Sequence, residues 1–369
     1  MRPLRHTTVL FVTSRAGHTL SRVERRWLPI MRALVAADVN VVLVAAPRGP
    51  LVMPARALGV RTASYRVDRL NILITRNRLR AFIRREQPTI AFASGYHADV
   101  PLRLAARGTP IKIVSSLHCG SWAEHGLHAL VSWGRRGMER RTRERVDAFM
   151  IDCAEGRDVL AADGVPADRV FVLPPGIDIA AVARDAAAVA ELPDARPLVG
   201  YAGALEPGRG LPTLATAAHA IKARYPDARV VVAGEGPARL GLIPASMDGR
   251  IDLVGRVPSV PAVLAALDVC VFPSADPGIP TSLLEAAALG RPIVASDVMG
   301  IRGLLADGEE IVLVPKGDPV ALAEAVCALL DDPERARALG RAARLRVIDD
   351  YPESALAARA VEMVRSLSA

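Results

Sequence analysis

The stretch from Pro273 to Asp297, PSADPGIPTSLLEAAALGRPIVASD, leaves the chain few folds to choose from. It follows an apolar strand, Asp268-Val269-Cys270-Val271-Phe272, and opens with a turn-rich loop from Pro273 to Pro280. The spacing predicts a short apolar helix from about Leu283 to Leu289, stopped by Gly290 with Pro292 beyond it. Glycine takes the left-handed conformation that closes a helix, and proline cannot continue one. A second buried strand, Pro292 to Ser296, follows. Strand, loop, helix and strand make a βαβ unit, so the loop lies at the carboxyl end of a parallel sheet, where open α/β sheets bind ligands. The free N–H groups and partial positive charge at the helix start suit a phosphate. Glu285 is the one charged side chain in the helix. Ser282-Leu-Leu-Glu285 also fits a capping box, in which the Glu side chain returns to the Ser282 N–H.

A chain of 369 residues, 51% of them apolar, suits two domains, since single cores rarely grow beyond about 250 residues. Charge is unevenly placed. Residues 1–180 carry 28 basic and 15 acidic side chains, and residues 181–369 carry 19 and 24, so the two halves suggest different partners. No run of arginines interleaves with aromatics and no nucleic-acid motif appears, which argues against nucleic acid. Cys119, Cys153, Cys270 and Cys327 are widely spaced; no pair has metal-ligand spacing and no disulfide framework is suggested, so a cytoplasmic location is the default. No run of 18 apolar residues predicts a spanning helix.

Strands and helices alternate along the rest of the chain, the pattern of doubly wound parallel sheets. Strands are expected at 8–13, 40–46, 61–67, 89–93, 111–115, 148–152, 169–173, 198–202, 229–233 and 251–254. Residues 179–196 read as a linker. There is no G-x-G-x-x-G after the first strand, so the dinucleotide fingerprint is absent. His97 and His118 fall just past the carboxyl ends of neighbouring strands; a lone histidine is more often structural, but two at adjacent strand ends point to a site. From Trp122 to Arg145 an apolar stripe is joined by Arg135, Arg136, Arg140, Arg141, Arg143 and Arg145, a pattern that packs on its own domain or lies on an anionic membrane surface. The second half opens with a strand and Gly203-Ala-Leu-Glu-Pro-Gly-Arg209-Gly. An arginine at a helix start is disfavoured by the helix dipole unless an anion joins it.

The Pro273–Ser296 stretch resembles the donor-binding segment of the family-4 retaining glycosyltransferases, roughly P-S-x-x-E-G-x-P-x-x-L-L-E-A-x-A-x-G-x-P-V-V-A-(S/T). Pro273, Ser274, Gly278, Pro280, Leu283, Leu284, Glu285, Ala286, Ala288, Gly290, Pro292, Val294, Ala295 and Ser296 stand in register. The likeness covers nearly the whole chain and keeps the motif order. It implies a GT-B fold: two Rossmann-like α/β domains facing a cleft, at 1–180 for the acceptor and 196–349 for the nucleotide sugar, with a helix at 350–369 crossing back to the first. It also implies transfer of a sugar, with retention, from a nucleotide-diphosphate sugar to a glycan, lipid-linked or small-molecule acceptor hydroxyl. The setting would be glycan, glycolipid or glycoconjugate biosynthesis, cytoplasmic or peripheral at the inner membrane face.

The resemblance assigns roles residue by residue. Glu285 would bind the ribose hydroxyls. Arg209 and the N–H groups around Gly278 to Ser282 would hold the phosphates, and Ile279, Pro280, Thr281 and Leu284 would also line the donor site. Gly203, Gly234 and Gly236 would let the backbone approach the donor, and Arg256 would lie near the nucleobase. Gly17 and His18 would face the acceptor with His97, and His118 would contact the reacting sugar. No cofactor is implied, and no Asp-x-Asp motif suggests a metal-bridged diphosphate. Three donor-facing positions depart from the family pattern: Pro277 stands where a glutamate is usual, Ala204 replaces an arginine, and Gly303 replaces a charged residue. Asp276 is the expected stand-in for the glutamate and a catalytic candidate with His118 and Arg209; Arg302 is the expected stand-in for the cation. The competing reading is a degenerate transferase that serves as partner or scaffold of another.

Overall fold

The structure is a computed structural model that describes residues 7–14, 22–64, 72–118, 137–194 and 196–368. Its strands are β1 Thr8–Thr13, β2 Asn40–Ala45, β3 Arg61–Ser64, β4 Ile90–Ser94, β5 Lys112–Ser116, β6 Ala148–Ile151, β7 Val170–Val172, β8 Leu198–Ala202, β9 Arg229–Ala233, β10 Asp252–Gly255, β11 Val269–Phe272, β12 Ile293–Ser296 and β13 Val312–Val314. The helices of the first part are α1 Arg22–Ala36, α2 Val52–Ala57, α3 Ile72–Glu86, α4 Tyr96–Ala105, α5 at 137–143 and α6 Gly156–Ala162. Those that follow are α7 Ile179–Ala186, α8 Leu211–Arg224, α9 Ile243–Met247, α10 Val260–Ala266, α11 Thr281–Ala288, α12 Met299–Arg302, α13 Pro319–Asp331, α14 Pro333–Asp350 and α15 Glu353–Ser368.

The chain divides into two compact units, one of residues up to Gly176 plus Glu353 onward, the other Ile177–Pro352. The first holds a parallel sheet in the order β3-β2-β1-β4-β5-β6-β7, the second one in the order β10-β9-β8-β11-β12-β13. In each sheet the order reverses once, between β1 and β4 and between β8 and β11. Those are the points where the loops at the carboxyl ends diverge and leave a crevice.

Apolar strands buried on both faces explain the parallel sheets. Val9, Phe11 and Leu43 pack on one side of the first sheet with Trp27 and Leu34 of α1, and Leu10, Val12 and Val44 pack on the other with Leu79 and Leu102. Leu356, Ala360 and Val364 of α15 join the former group, so the last helix completes the first unit although it follows the second in sequence. Val199, Tyr201, Val231, Phe272 and Val294 form the middle of the second core.

Residues 179–196 are not simply a linker: Asp178 caps α7 through its side chain, accepting from the Ala181 N–H at 2.9 Å, and Val182 is buried in the second core. The cysteines also differ from expectation. Cys153 is disulfide-bonded, whereas Cys270 and Cys327 are free and buried. Pairing depends on which loops meet in space, which spacing along the chain does not encode.

Candidate functional site

The loops after β8 and β11 flank the reversal of strand order in the second unit, and backbone contacts zip them together. The N–H groups of Ala275 and Asp276 both donate to the Gly208 carbonyl, at 2.9 and 3.0 Å. Gly210 has φ of 63°, and a Cβ there would lie 1.7 Å from the Pro273 carbonyl oxygen. Only glycine allows that approach. A Cβ on Gly208 would lie 1.7 Å from Asp276 Oδ2, so the Asp276 carboxylate occupies the place a side chain at 208 would take. On the far side, the Gly300 N–H donates to the Pro277 carbonyl at 2.8 Å, which pins the same loop against α12.

Arg209 lies inside this zip, in the short 3-10 turn Pro207–Arg209. It is 7% exposed, and its Nε and Nη1 are buried with no hydrogen-bond partner. Proteins rarely bury a cation without a counter-charge. A group in that state, at a sheet's ligand-binding edge, is suited to an anion.

α11 enters the site through Pro280, its N-cap residue, whose backbone is extended at φ −73° and ψ 126°. The helix therefore begins at Thr281, and Ser282 is already within its first turn rather than at its cap. The capping-box reading of Ser282 and Glu285 is thus overturned: the proline starts the helix two residues early. Gly278, Ile279, Pro280 and Ser282 are buried, Thr281 and Glu285 half-buried. Glu285 lies one turn on from Thr281, on the same face. Leu284 is fully buried in the second core, so its side chain packs rather than faces a ligand. The end of α11 follows expectation: Gly290 is left-handed at φ 69°, and the Arg291 N–H returns to the Ala286 carbonyl.

Three glycines draw neighbouring strand ends towards α11. A Cβ on Gly203 would sit 3.1 Å from Ser282 Oγ, one on Gly234 would sit 1.8 Å from the Gly203 carbonyl, and one on Gly236 would sit 2.4 Å from the Leu205 carbonyl. Arg256 is exposed just past β10. Ala204 is exposed and brings no charge. Arg302 forks onto Asp297 through Nε and Nη2 at 2.6 and 2.9 Å, and those bonds hold the Asp297 carboxyl below the usual carboxylate range.

In the first unit, His118 follows β5 and is half-buried; the Leu117 N–H before it donates to the Met150 carbonyl at 2.8 Å. His97 lies in the first turn of α4, with its ring edge-on to Tyr96 at 5.3 Å. Since β4 and β5 pair, both histidines stand at adjacent carboxyl ends. Gly17 and His18 lie outside the described residues, as does most of the basic segment from Trp122. Within its described end, Arg143 pairs with Asp163 at 2.8 Å and Arg145 donates to the Ala106 carbonyl at 3.0 Å, so both are engaged inside the unit. No described helix is long and apolar enough to cross a membrane.

Sequence reasoning passed over a buried polar group behind these histidines. Ser115 Oγ donates to Asp99 Oδ1 at 2.7 Å and accepts from Arg103 Nη2 at 2.8 Å, while Arg103 Nη1 reaches Glu139 at 3.3 Å. Burial pushes the Asp99 carboxyl up to about 6, opposed by Arg103 and assisted by Glu139. The signal was an Asp and an Arg four residues apart in an otherwise apolar helix. A groove of about 700 Å³ between α8 and α13 lies away from every predicted site residue; alanines and the paired Arg224 and Asp331 line it. Among the described residues no group of three or more His, Cys, Asp or Glu could hold a metal ion.

Comparison with known proteins covers both units. The profile described as "Glycosyltransferase Family 4" matches residues 23–181, and "Glycosyl transferases group 1" matches residues 196–332. The alpha-maltose-1-phosphate synthase of Mycolicibacterium smegmatis is 30% identical over 271 residues, 66% of this chain and 68% of that protein. The 2-deoxystreptamine N-acetyl-D-glucosaminyltransferase of Streptomyces fradiae is 33% identical over 245 residues, 60% of this chain and 57% of that protein. The chain spans from 38% to 68% of the length of the curated relatives it matches. In fold it is similar to Anabaena HepE, crystallised in complex with UDP, with a TM-score of 0.78, 15% identity, and coverage of 98% of this chain and all of that one.

Proposed function

Since the chain belongs to the family-4, group-1 glycosyltransferases, we propose that it moves a sugar from a nucleotide-diphosphate sugar to an acceptor hydroxyl with retention, the second unit taking the donor and the first the acceptor. The observation that carries this reading is Arg209, a buried cation with unpartnered donors between the two loops that flank the reversal of strand order. The leaving nucleoside diphosphate gains negative charge in the transition state, and a fixed, desolvated cation stabilises it without reorganising. The first-turn N–H groups of α11 add to the same field. Glu285, one turn along, accepts from the ribose hydroxyls. Asp276, whose carboxylate fills the space over Gly208, stands within reach of the transferred sugar and takes the part of the glutamate that Pro277 replaces. His118, in the first unit, contacts the reacting sugar. The relatives' printed names supply the kinds of acceptor to test first: sugar phosphates and aminocyclitols.

One observation favours the degenerate reading. Ala204 brings no cation, and Arg302 is already forked onto Asp297, so the donor site holds fewer charges than the family pattern. The test is direct. The full chain is incubated with each common nucleotide sugar and a panel of acceptors, release of nucleoside diphosphate is followed, and the anomeric configuration of any product is read by NMR coupling. An α-donor giving an α-product supports retention. Release that requires acceptor and is lost in Arg209→Ala supports the site. No turnover with any donor, in a protein that still binds nucleotide, supports the degenerate reading instead.

A further inference from the structure

Helix α1 presents an apolar stripe to the first sheet: Val23, Trp27, Ile30, Met31 and Leu34, none more than 3% exposed. Two charges are set into its first turns, Glu24 at 1% and Arg26 at 4% exposed. Burial lowers the Arg26 pKa, and the field of Asp152 opposes that shift. Such a side chain persists where its hydrogen bonds do something an apolar one cannot.

Those bonds all go to backbone carbonyls at strand ends. Nη1 donates to Leu117 at 3.4 Å, just past β5, and Nη2 donates to Ile151 at 3.3 Å, the last residue of β6, and to Leu173, just past β7. The neighbours continue the pattern. Trp27 Nε1 donates to Ser116 Oγ at 3.1 Å at the end of β5, and Glu24 accepts from Thr13 Oγ1 at 3.0 Å at the end of β1. A planar fork with five N–H donors can serve three carbonyls at once; a compact ammonium cannot match that geometry.

We propose that Arg26 is the positioning residue for His118, gripping the three strand ends so that β5 delivers the histidine at one fixed height on the sheet's carboxyl edge. The inference rests on the reading of His118 as a contact of the reacting sugar. Arg26 touches no substrate; it acts through the Leu117 carbonyl, one residue before the histidine.

The test uses the full chain with five variants, two of them, Arg26→Ala and His118→Ala, for chemical rescue. Arg26→Lys keeps the charge and loses the fork. Trp27→Phe is milder: it removes the bond to Ser116 along with part of a buried ring packed on Phe11. Ile83→Val, in a separate part of the first core, controls for general destabilisation. A displacement near 1 Å costs on the order of 10²-fold in rate. Arg26→Lys is therefore expected to lower kcat by about that factor with the donor KM within about twofold. Trp27→Phe should show the same split in weaker form, and Ile83→Val should leave kcat alone. Hydrogen exchange at 115–118, 151–153 and 173–176 should quicken together in Arg26→Lys. Guanidinium ion should partly restore kcat in Arg26→Ala and not in His118→Ala. If the wild-type protein transfers no sugar, the functional reading fails on its own and the exchange arm still decides whether Arg26 holds the Leu117–His118 segment. Unchanged exchange at those three segments overturns the proposal. So does an equal kcat loss in Ile83→Val, or, should Arg26→Lys not fold, a Trp27→Phe enzyme with wild-type kcat.

Discussion

Replacing Arg209 by methionine should do two opposite things. The arginine is 7% exposed, with Nε and Nη1 unpartnered, so the ligand-free protein carries the desolvation cost of buried donors. Each such group costs about 1–3 kcal/mol. Methionine fills a similar volume without charge, and the ligand-free second unit should gain roughly 1–3 kcal/mol. At about 2–4 °C per kcal/mol for a unit of this size, the gain is on the order of 5 °C in Tm. Binding moves the other way. A nucleoside diphosphate at about 100 times its Kd stabilises the native state by roughly 2.7 kcal/mol. Loss of charge-assisted bonds worth about 1.5–3 kcal/mol weakens binding up to about a hundredfold, so the same ligand concentration would leave only about 0.4 kcal/mol. Thermal unfolding of both proteins, with and without nucleoside diphosphate, reads the two effects in one experiment. A variant with a lower ligand-free Tm and an undiminished ligand shift would refute the reasoning, because Arg209 would then be a structural residue.

The glycines of the zipped loops divide into two classes. Gly210→Ala drives a Cβ into the Pro273 carbonyl from a left-handed backbone, so urea denaturation should show a loss of more than about 2 kcal/mol. Gly208→Ala meets only the end of the Asp276 side chain; it should cost under about 1 kcal/mol in stability yet lower transfer as far as Asp276→Asn does. Full transfer rates in both of those variants would remove Asp276 from the mechanism. Asp99 predicts a pH effect. Burial raises its carboxyl from 3.8 to about 6, so the folded state holds the proton more tightly than the unfolded chain. The stability this contributes is present below about pH 4 and is lost as pH rises through about 6, to the extent of roughly 3 kcal/mol. Asp99→Asn should flatten that slope in pH-dependent denaturation; an unchanged slope would assign it to another group.

The parts legible in the sequence are those written in local pattern. Alternating apolar strands and helices foretold both parallel sheets, and the run from Pro273 to Ser296 foretold β11, α11 and β12 within a residue or two because Gly290 and the prolines mark the boundaries. Gly203, Gly234 and Gly236 stood out through the family resemblance, and at the latter two a Cβ would run into a backbone carbonyl. The capping box at Ser282 misled because a serine followed three residues later by glutamate also arises inside a helix that Pro280 has already begun. Asp99 and Arg103 left only the trace of an Asp and an Arg four residues apart in a mostly apolar helix, and Arg26 was not legible at all. The partners of Arg26 lie up to 147 residues away, and nothing near it in sequence marks it, rather than Arg25, as turned inward. The seat of Asp276 over Gly208 likewise exists only once two loops about 70 residues apart meet.

The central claim is that the second unit holds a nucleotide-diphosphate sugar at Arg209 and Glu285. The most direct measurement is a calorimetric titration of the full chain with UDP, GDP, ADP and TDP and their sugar conjugates, repeated with Glu285→Ala. The account predicts saturable binding selective for one base, weakened about tenfold to hundredfold in the variant, as loss of a hydrogen bond to a charged group requires. Absence of binding by every nucleotide, or affinity that is the same in Glu285→Ala, would contradict it.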